Sequence, residues 1–215
     1  MKIKNGEDPV DINNMKILNL YSGIGGNRKN WGNVDVTAVE NKQEIADIYH
    51  DFFPKDKVIV ADAHQYLLEH YKEFDFIWSS PPCQSHSQVR FIAMGRKENP
   101  QKPLFPDLRL YEEILFLKHY FKGKYCVENV VGYYEPLVKP QEIAKHYFWT
   151  NFYINPIKRE SREHYGTIET LERKKGFDLG KYKIKEKRTI LRNCVEPETG
   201  LHIFQEAFRE YKTLL

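Results

Sequence analysis

The chain has 215 residues, 41% hydrophobic and 29% charged, with 33 Lys and Arg against 30 Asp and Glu for a formal net charge of +3. That suits one globular domain with a full core, and no apolar run approaches the length of a membrane span. Three cysteines, Cys83, Cys126 and Cys194, exclude a disulfide framework or paired metal spacing. A soluble protein in a reducing cytoplasm is expected, with no metal.

Residues 1–14 are polar, lack the apolar stretch of a signal peptide and read as a flexible extension. Met15–Tyr21 reads as a buried strand, followed by the turn-rich loop Ser22-Gly23-Ile24-Gly25-Gly26. Val34–Val39 predicts a strand ending at Glu40. Gln43–Phe53 has helical spacing at Ile45, Ile48, Tyr49 and Phe52, and Val58–Val60 is a short strand ending at Asp62. A helix over Tyr66–Tyr71 and a strand over Phe74–Trp78 lead into Ser79-Ser80-Pro81-Pro82-Cys83-Gln84, and Ser85–Pro106 reads as a loop. Leu108–Phe121 predicts an amphipathic helix, Tyr125–Val127 a strand ending at Glu128, and Phe148–Ile154 another strand. Regularity then fades. Asn155–Lys187 is basic with Gly166, Gly176 and Gly180 as breakers, and Leu201–Tyr211 reads as a helix returning to the core. The expected organisation is an extension 1–14, a core 15–154, an insert 155–188 and a returning segment 189–215.

Strands alternating with helices predict an α/β fold with a mostly parallel sheet. The polar residues singled out fall just past the carboxyl ends of strands, the edge that forms the ligand crevice in such sheets. The glycine loop lets backbone approach a ligand, and it lacks the Lys-Ser/Thr of a phosphate-gripping loop, so ATP and GTP are not expected. A tight turn is the plainer reading of the loop taken alone. Glu40 suits both hydroxyls of a ribose and Asp62 an adenine amino group, or either acid serves as a helix cap or surface charge. Tyr21 suits stacking on a purine or a place in the core. Cys83 follows two stiffening prolines, and a loop or helix-start position can lower a thiol pKa. Cys126 and Cys194 read as small buried hydrophobes. Ile157–Arg188 interleaves basic residues with Tyr165, Phe177 and Tyr182, which suits phosphates and exposed bases or a solvated surface equally.

These motifs, in this order, resemble those of the DNA cytosine C5-methyltransferases. Asn19–Gly26 is similar to the first motif, Pro81-Pro82-Cys83-Gln84 to the nucleophile motif and Glu128-Asn129-Val130 to the Glu-Asn-Val motif. Asp107-Leu108-Arg109 falls at a further cofactor-proximal motif, and Arg192–Pro197 resembles the last one. The resemblance covers about residues 16 to 211. It implies a Rossmann-like methyltransferase fold with helices on both faces and S-adenosylmethionine as donor. It implies duplex DNA as partner, DNA methylation as activity and restriction-modification as one setting. By resemblance Cys83 adds to carbon 6 of a flipped cytosine, Glu128 holds the N3 edge with a raised pKa, and carbon 5 takes the methyl group. The cofactor residues implied are Tyr21, Ser22, Gly23, Gly25, Gly26, Glu40, Asp62 and Asn193. The substrate residues are Pro82, Gln84, Ser87, Arg90 and Asn129. The segment Ser85–Pro106, with Arg90, Arg96 and Lys97, is expected to close over the flipped base.

The chain departs from the family pattern twice. Aligned on Tyr147–Asn151, Ala144 and His146 stand where the family places an Arg-x-Arg pair, which makes His146 a candidate substitute at the cytosine. The target-recognition region is short, about Asn155 to Arg188, implying a short or relaxed target, or help from a homo-oligomer or accessory partner. An RNA substrate is the main alternative, since one branch of the family modifies tRNA. A silent binding module would be expected to lack Cys83 or Glu128. Amino-group methylation is disfavoured because Cys83 cannot stack on a base.

Overall fold

The computed structural model describes residues 15–157 and 166–209. The expected extension 1–14 lies outside them, as do residues 158–165 with Tyr165 and the end of the returning segment, 210–215, with Tyr211.

Seven strands form one sheet in the order β3-β2-β1-β4-β5-β7-β6. They are β1 (Lys16–Leu20), β2 (Asp35–Glu40), β3 (Lys57–Val60), β4 (Phe76–Ser79), β5 (Lys124–Val130), β6 (Gln141–Ile143) and β7 (His146–Thr150). β1 to β5 run parallel, and β7 and β6 add antiparallel at one edge. The chain order reverses between β1 and β4, the switch point where ligand crevices open in sheets of this kind.

Alternation along the strands sends side chains to opposite faces. On one face Ile17, Phe76, Trp78, Cys126 and Phe148 meet Ile203, Phe204 and Ala207 of helix α7 (Pro197–Ala207). Trp31 stacks on Phe204 at 4.9 Å, and its indole N–H donates to Gly200 O at 3.1 Å. Burial of a ring such as Phe204 contributes about 1.5–3 kcal/mol. On the other face Leu18, Leu20, Ile77 and Val127 meet α2 (Ala63–His70) and α4 (Arg109–Tyr120). A third cluster joins Ile24 of the glycine loop and Ile45 and Ile48 of α1 (Gln43–Phe52) to Leu171, Phe177 and Leu191. Among the described residues no helix is long and apolar enough to cross a membrane.

Several elements differ from the sequence reading. The expected loop Ser85–Pro106 contains α3 (Gln88–Met94), capped by the Ser87 hydroxyl, which accepts Val89 N–H at 3.2 Å. Val89, Phe91 and Ile92 are exposed and Ala93 is buried, so the apolar residues of this helix are spread round it rather than gathered on one core-facing stripe. The irregular insert holds α5 (Ile168–Lys175) and leads into α6 (Lys187–Asn193). Gly176, read as a breaker, is the left-handed residue that closes α5, and Thr167 caps its start. Phe177 is buried, and the Tyr182 hydroxyl donates to Asp51 Oδ2 at 2.9 Å beside Lys181. Those two aromatics are engaged in packing and surface bonding. The strand expected at Phe148–Ile154 begins earlier, at His146, and ends at Thr150. Ala144 and Lys145, with φ of 48° and 68°, turn β6 into β7. Two left-handed residues match a type I′ hairpin turn, at a strain of about 1–2 kcal/mol each.

Candidate active site

The glycine loop leaves β1 at its carboxyl end. Tyr21, Gly23 and Gly25 all have positive φ, so the backbone curls left-handed three times over a short span. A Cβ on Gly25 would sit 2.3 Å from the Phe53 ring, and one on Gly26 would sit 2.6 Å from Val195 O. Only at Gly23, of these three, is the space in front open, with nothing within 4 Å. The expected close approach to a ligand therefore falls to Gly23. Gly25 and Gly26 instead let the loop seat against the C-terminal cap of α1 and against the last motif.

Glu40 closes β2 and accepts Gly23 N–H at 3.1 Å and Lys42 N–H at 3.1 Å. A carboxylate offers about four acceptor positions, so capacity remains for ribose hydroxyls. Asp62 does cap α2, taking Gln65 N–H at 3.0 Å on Oδ1, while Oδ2 lies 3.9 Å from Arg109 Nη1. The Tyr21 hydroxyl donates to Glu113 Oε1 at 2.5 Å, which ties down the ring expected to stack on a purine. Ser22 Oγ is buried without a partner. Asn193 lies exposed at the end of α6, in the segment whose Val195 backbone packs on Gly26. An open glycine, an unpartnered hydroxyl and two acids along one edge fit a nucleoside cofactor.

The nucleophile turn leaves β4. The Cys83 carbonyl accepts His86 N–H at 3.0 Å and Ser87 N–H at 3.1 Å, winding the chain toward α3. The thiol is partly buried. Desolvation pushes its pKa up to about 11, and the neighbouring Glu128 charge pushes the same way. This corrects the expectation of a lowered pKa, because desolvation outweighs any benefit of the turn position. Pro82 and Gln84 are exposed beside it. Arg90, expected to touch phosphate, donates to Lys102 O at 3.2 Å and Gln101 Oε1 at 3.4 Å, fastening the following segment to α3.

Asn129, expected at the substrate, is buried, and its amide donates to Pro81 O at 3.0 Å. It ties the nucleophile turn to β5. Asn129→Ala leaves that carbonyl unpaired, an expected loss of about 1–3 kcal/mol in thermal or urea unfolding. Slower Cys83 chemistry should accompany it.

Glu128 lies within β5, opposite Phe148, and the strand continues past it to Val130. Val130 pairs with His146, so Glu128 and His146 share one face of the ladder. His146 Nε2 is 3.6 Å from Glu128 Oε1, too long for a hydrogen bond but within ion-pair range. Sequence reasoning missed His86, whose Nδ1 lies 2.6 Å from the Tyr134 hydroxyl while its Nε2 is buried and unpartnered. Burial holds its pKa below the ordinary value. It also missed Lys175, whose ammonium donates to Cys194 O at 2.5 Å and pairs with Glu196 at 2.9 Å, clamping α5 to the last motif. A lysine on the third turn face of a charge-rich helix gives no sequence signal for burial. Among the described residues no group of His, Cys, Asp and Glu could hold a metal.

The sheet order, the glycine loop after β1, the acids after β2 and β3 and the crevice at the switch point define a Rossmann-like α/β fold. The C-5 cytosine-specific DNA methylase family matches over residues 15–132, more than half of the chain, and the protein belongs to that family. The family is one of S-adenosylmethionine-dependent methyltransferases. Among solved structures the chain is similar to a mutant DNMT2 from Spodoptera frugiperda, with a TM-score of 0.45 and 23% identity over 69% of this chain and 54% of that one. It is also similar to a SAM-dependent methyltransferase from Agrobacterium tumefaciens, with a TM-score of 0.39 and 15% identity over 56% of this chain and 40% of that one. The chain thus spans about half the length of the first and less of the second. A search of curated proteins found no match.

Proposed function

We propose that this chain methylates carbon 5 of cytosine in DNA, with the base flipped into the crevice beside β4 and β5. The observation that carries the reading is that β4 and β5 are neighbours, with the Asn129 amide tying the Cys83 turn after β4 to β5 beside Glu128. A thiol and a carboxyl group carried by neighbouring strands suit a ring that needs a nucleophile at carbon 6 and a partner at N3 and the amino group. Cys83 would pass its proton to water as its sulfur bonds to carbon 6, placing electron density on carbon 5; once carbon 5 carries the methyl group, its proton leaves to water, the carbon 6–sulfur bond breaks and Cys83 is released. Glu128 would hold the N3 edge and share a proton with it. Bound S-adenosylmethionine supplies an electrophilic methyl group. Gly23, Glu40, Asp62 and Ser22 would hold it, with Asn193 beside the loop. Pro82, Gln84, Ser87 and Arg90 would lie around the flipped base.

His146 would stand at the cytosine through its place beside Glu128. His146→Ala should weaken binding of cytosine-containing DNA about tenfold, the effect of one polar contact, while affinity for S-adenosylhomocysteine stays the same. Equal DNA binding by the variant would make His146 a bystander. Target choice would need a second copy or an accessory partner, because the described part of the insert is largely engaged with α1 and the last motif.

Bisulfite sequencing of DNA from cells expressing the protein tests the reading directly. New 5-methylcytosine in a fixed context, absent with Cys83→Ser, is the expected result, and a fixed context would suit a restriction-modification role. Methylation found in RNA alone would move the substrate to RNA and leave the site chemistry standing.

A further inference from the structure

Glu113 lies on the inward face of α4 and is 1% exposed. A carboxylate so buried is costly unless donors surround it. Three groups do, and each comes from a different element at the switch point. The Tyr21 hydroxyl donates to Oε1 at 2.5 Å from the residue that begins the glycine loop. The Ser79 hydroxyl donates to Oε2 at 2.5 Å from the last residue of β4, which feeds the nucleophile turn. His64 Nδ1 lies 2.9 Å from Oε1 at the start of α2, just after Asp62, and its Nε2 is 3.3 Å from Glu112. Glu113 holds the His64 pKa above its ordinary value, and burial with the same carboxylate pushes the Tyr21 phenol up.

Tyr21 is the non-glycine residue of this loop with positive φ, at 54°. That conformation is strained and needs an external tie to persist. The hydrogen bond to Glu113 is such a tie, and hydrogen bonds to a charged group are the stronger kind. The next bend, at Gly23, is the one that faces open space and meets Glu40. The conformation of Tyr21 therefore sets where Gly23 and its N–H point.

We propose that Glu113 is a positioning residue for the cofactor: through Tyr21 it fixes the glycine loop in its binding shape, with Ser79 and His64 anchoring the carboxylate. This rests on the cofactor reading above and not on which nucleic acid is methylated. The action passes through one hydroxyl, so removing either end of the bond should have the same consequence.

The test is calorimetric titration of S-adenosylhomocysteine into the full chain, as wild type, Tyr21→Phe, Glu113→Gln and the double variant, with a thermal melt of each. Tyr21→Phe keeps the ring and removes only the donor, so a folded protein is available even if Glu113→Gln is unstable. Each single change should weaken binding about tenfold, and the double change should weaken it no further, the signature of groups acting as a unit. A lowered Tm with unchanged affinity in Tyr21→Phe would make the bond merely structural and overturn the proposal. Losses that multiply to about a hundredfold in the double variant would also overturn it, by showing independent roles. No binding by the wild type would overturn the cofactor reading together with this one. Binding by the wild type with equal binding by every variant would remove only Glu113.

Discussion

Cys83→Ser should abolish methyl transfer, a loss of at least about 10⁴-fold in turnover, while the fold and the affinity for S-adenosylhomocysteine stay as they are. The serine hydroxyl is nearly isosteric but far harder to ionise. The same variant should fail to form a stable adduct with duplex DNA carrying 5-fluorocytosine, whereas the wild type with S-adenosylmethionine should be trapped, because fluorine at carbon 5 blocks the elimination that releases the cysteine. Adduct formation on denaturing gels reads this out without a rate measurement. Trapping on RNA with none on any DNA would reassign the substrate, and trapping of Cys83→Ser would remove Cys83 from the mechanism. The raised pKa of about 11 adds a pH signature. At pH 7 only about one thiol in 10⁴ is ionised in the free enzyme. Alkylation of Cys83 by iodoacetamide should therefore climb about tenfold per pH unit between pH 7 and 10. A thiol with an ordinary or lowered pKa would level off earlier. Cys126 and Cys194 are both desolvated with raised pKa values, so the difference between wild type and Cys83→Ser isolates the one thiol.

The regular half of the molecule was legible because burial writes itself into spacing. Ile45, Ile48 and Tyr49 mark the buried face of α1, and Leu108–Phe121 differs from α4 only by its two capping residues. What spacing does not record is which polar group answers which. Asn129 follows Glu128 in the sequence, but its amide turns to Pro81, a contact across two strands. Glu113 reads as one more acid on a charged helix, although it is the buried one, and nothing local distinguishes it from Glu112. Gly25 and Gly26 were read for a ligand and are required by packing, since the atoms they would strike belong to Phe53 and Val195. The helices in the insert were hidden because α5 presents few apolar residues. Its signals were the caps, Thr167 and Gly176, rather than any stripe.

Glu128→Gln should lower turnover by about 10²–10⁴-fold with S-adenosylhomocysteine affinity nearly unchanged. The amide fills the same volume in β5 and keeps the pairing opposite Phe148, so the sheet should hold. What it loses is the ability to exchange a proton with N3, and with it the means of stabilising charge that develops on the ring as Cys83 adds. The cofactor side is insulated, because the glycine loop, Glu40 and Asp62 hang from β1, β2 and β3 while Glu128 hangs from β5, with β4 between. Desolvation is the main cause of the raised Cys83 pKa, and the substitution removes the charge that adds to it, so the thiol should titrate lower in Glu128→Gln than in the wild type. These two effects oppose each other. An easier thiolate should speed iodoacetamide alkylation of Cys83, while methyl transfer falls. Observing both together would separate the two roles of Glu128, as a like charge beside the thiolate and as a partner for the base. Turnover near that of the wild type would take Glu128 out of the chemistry altogether.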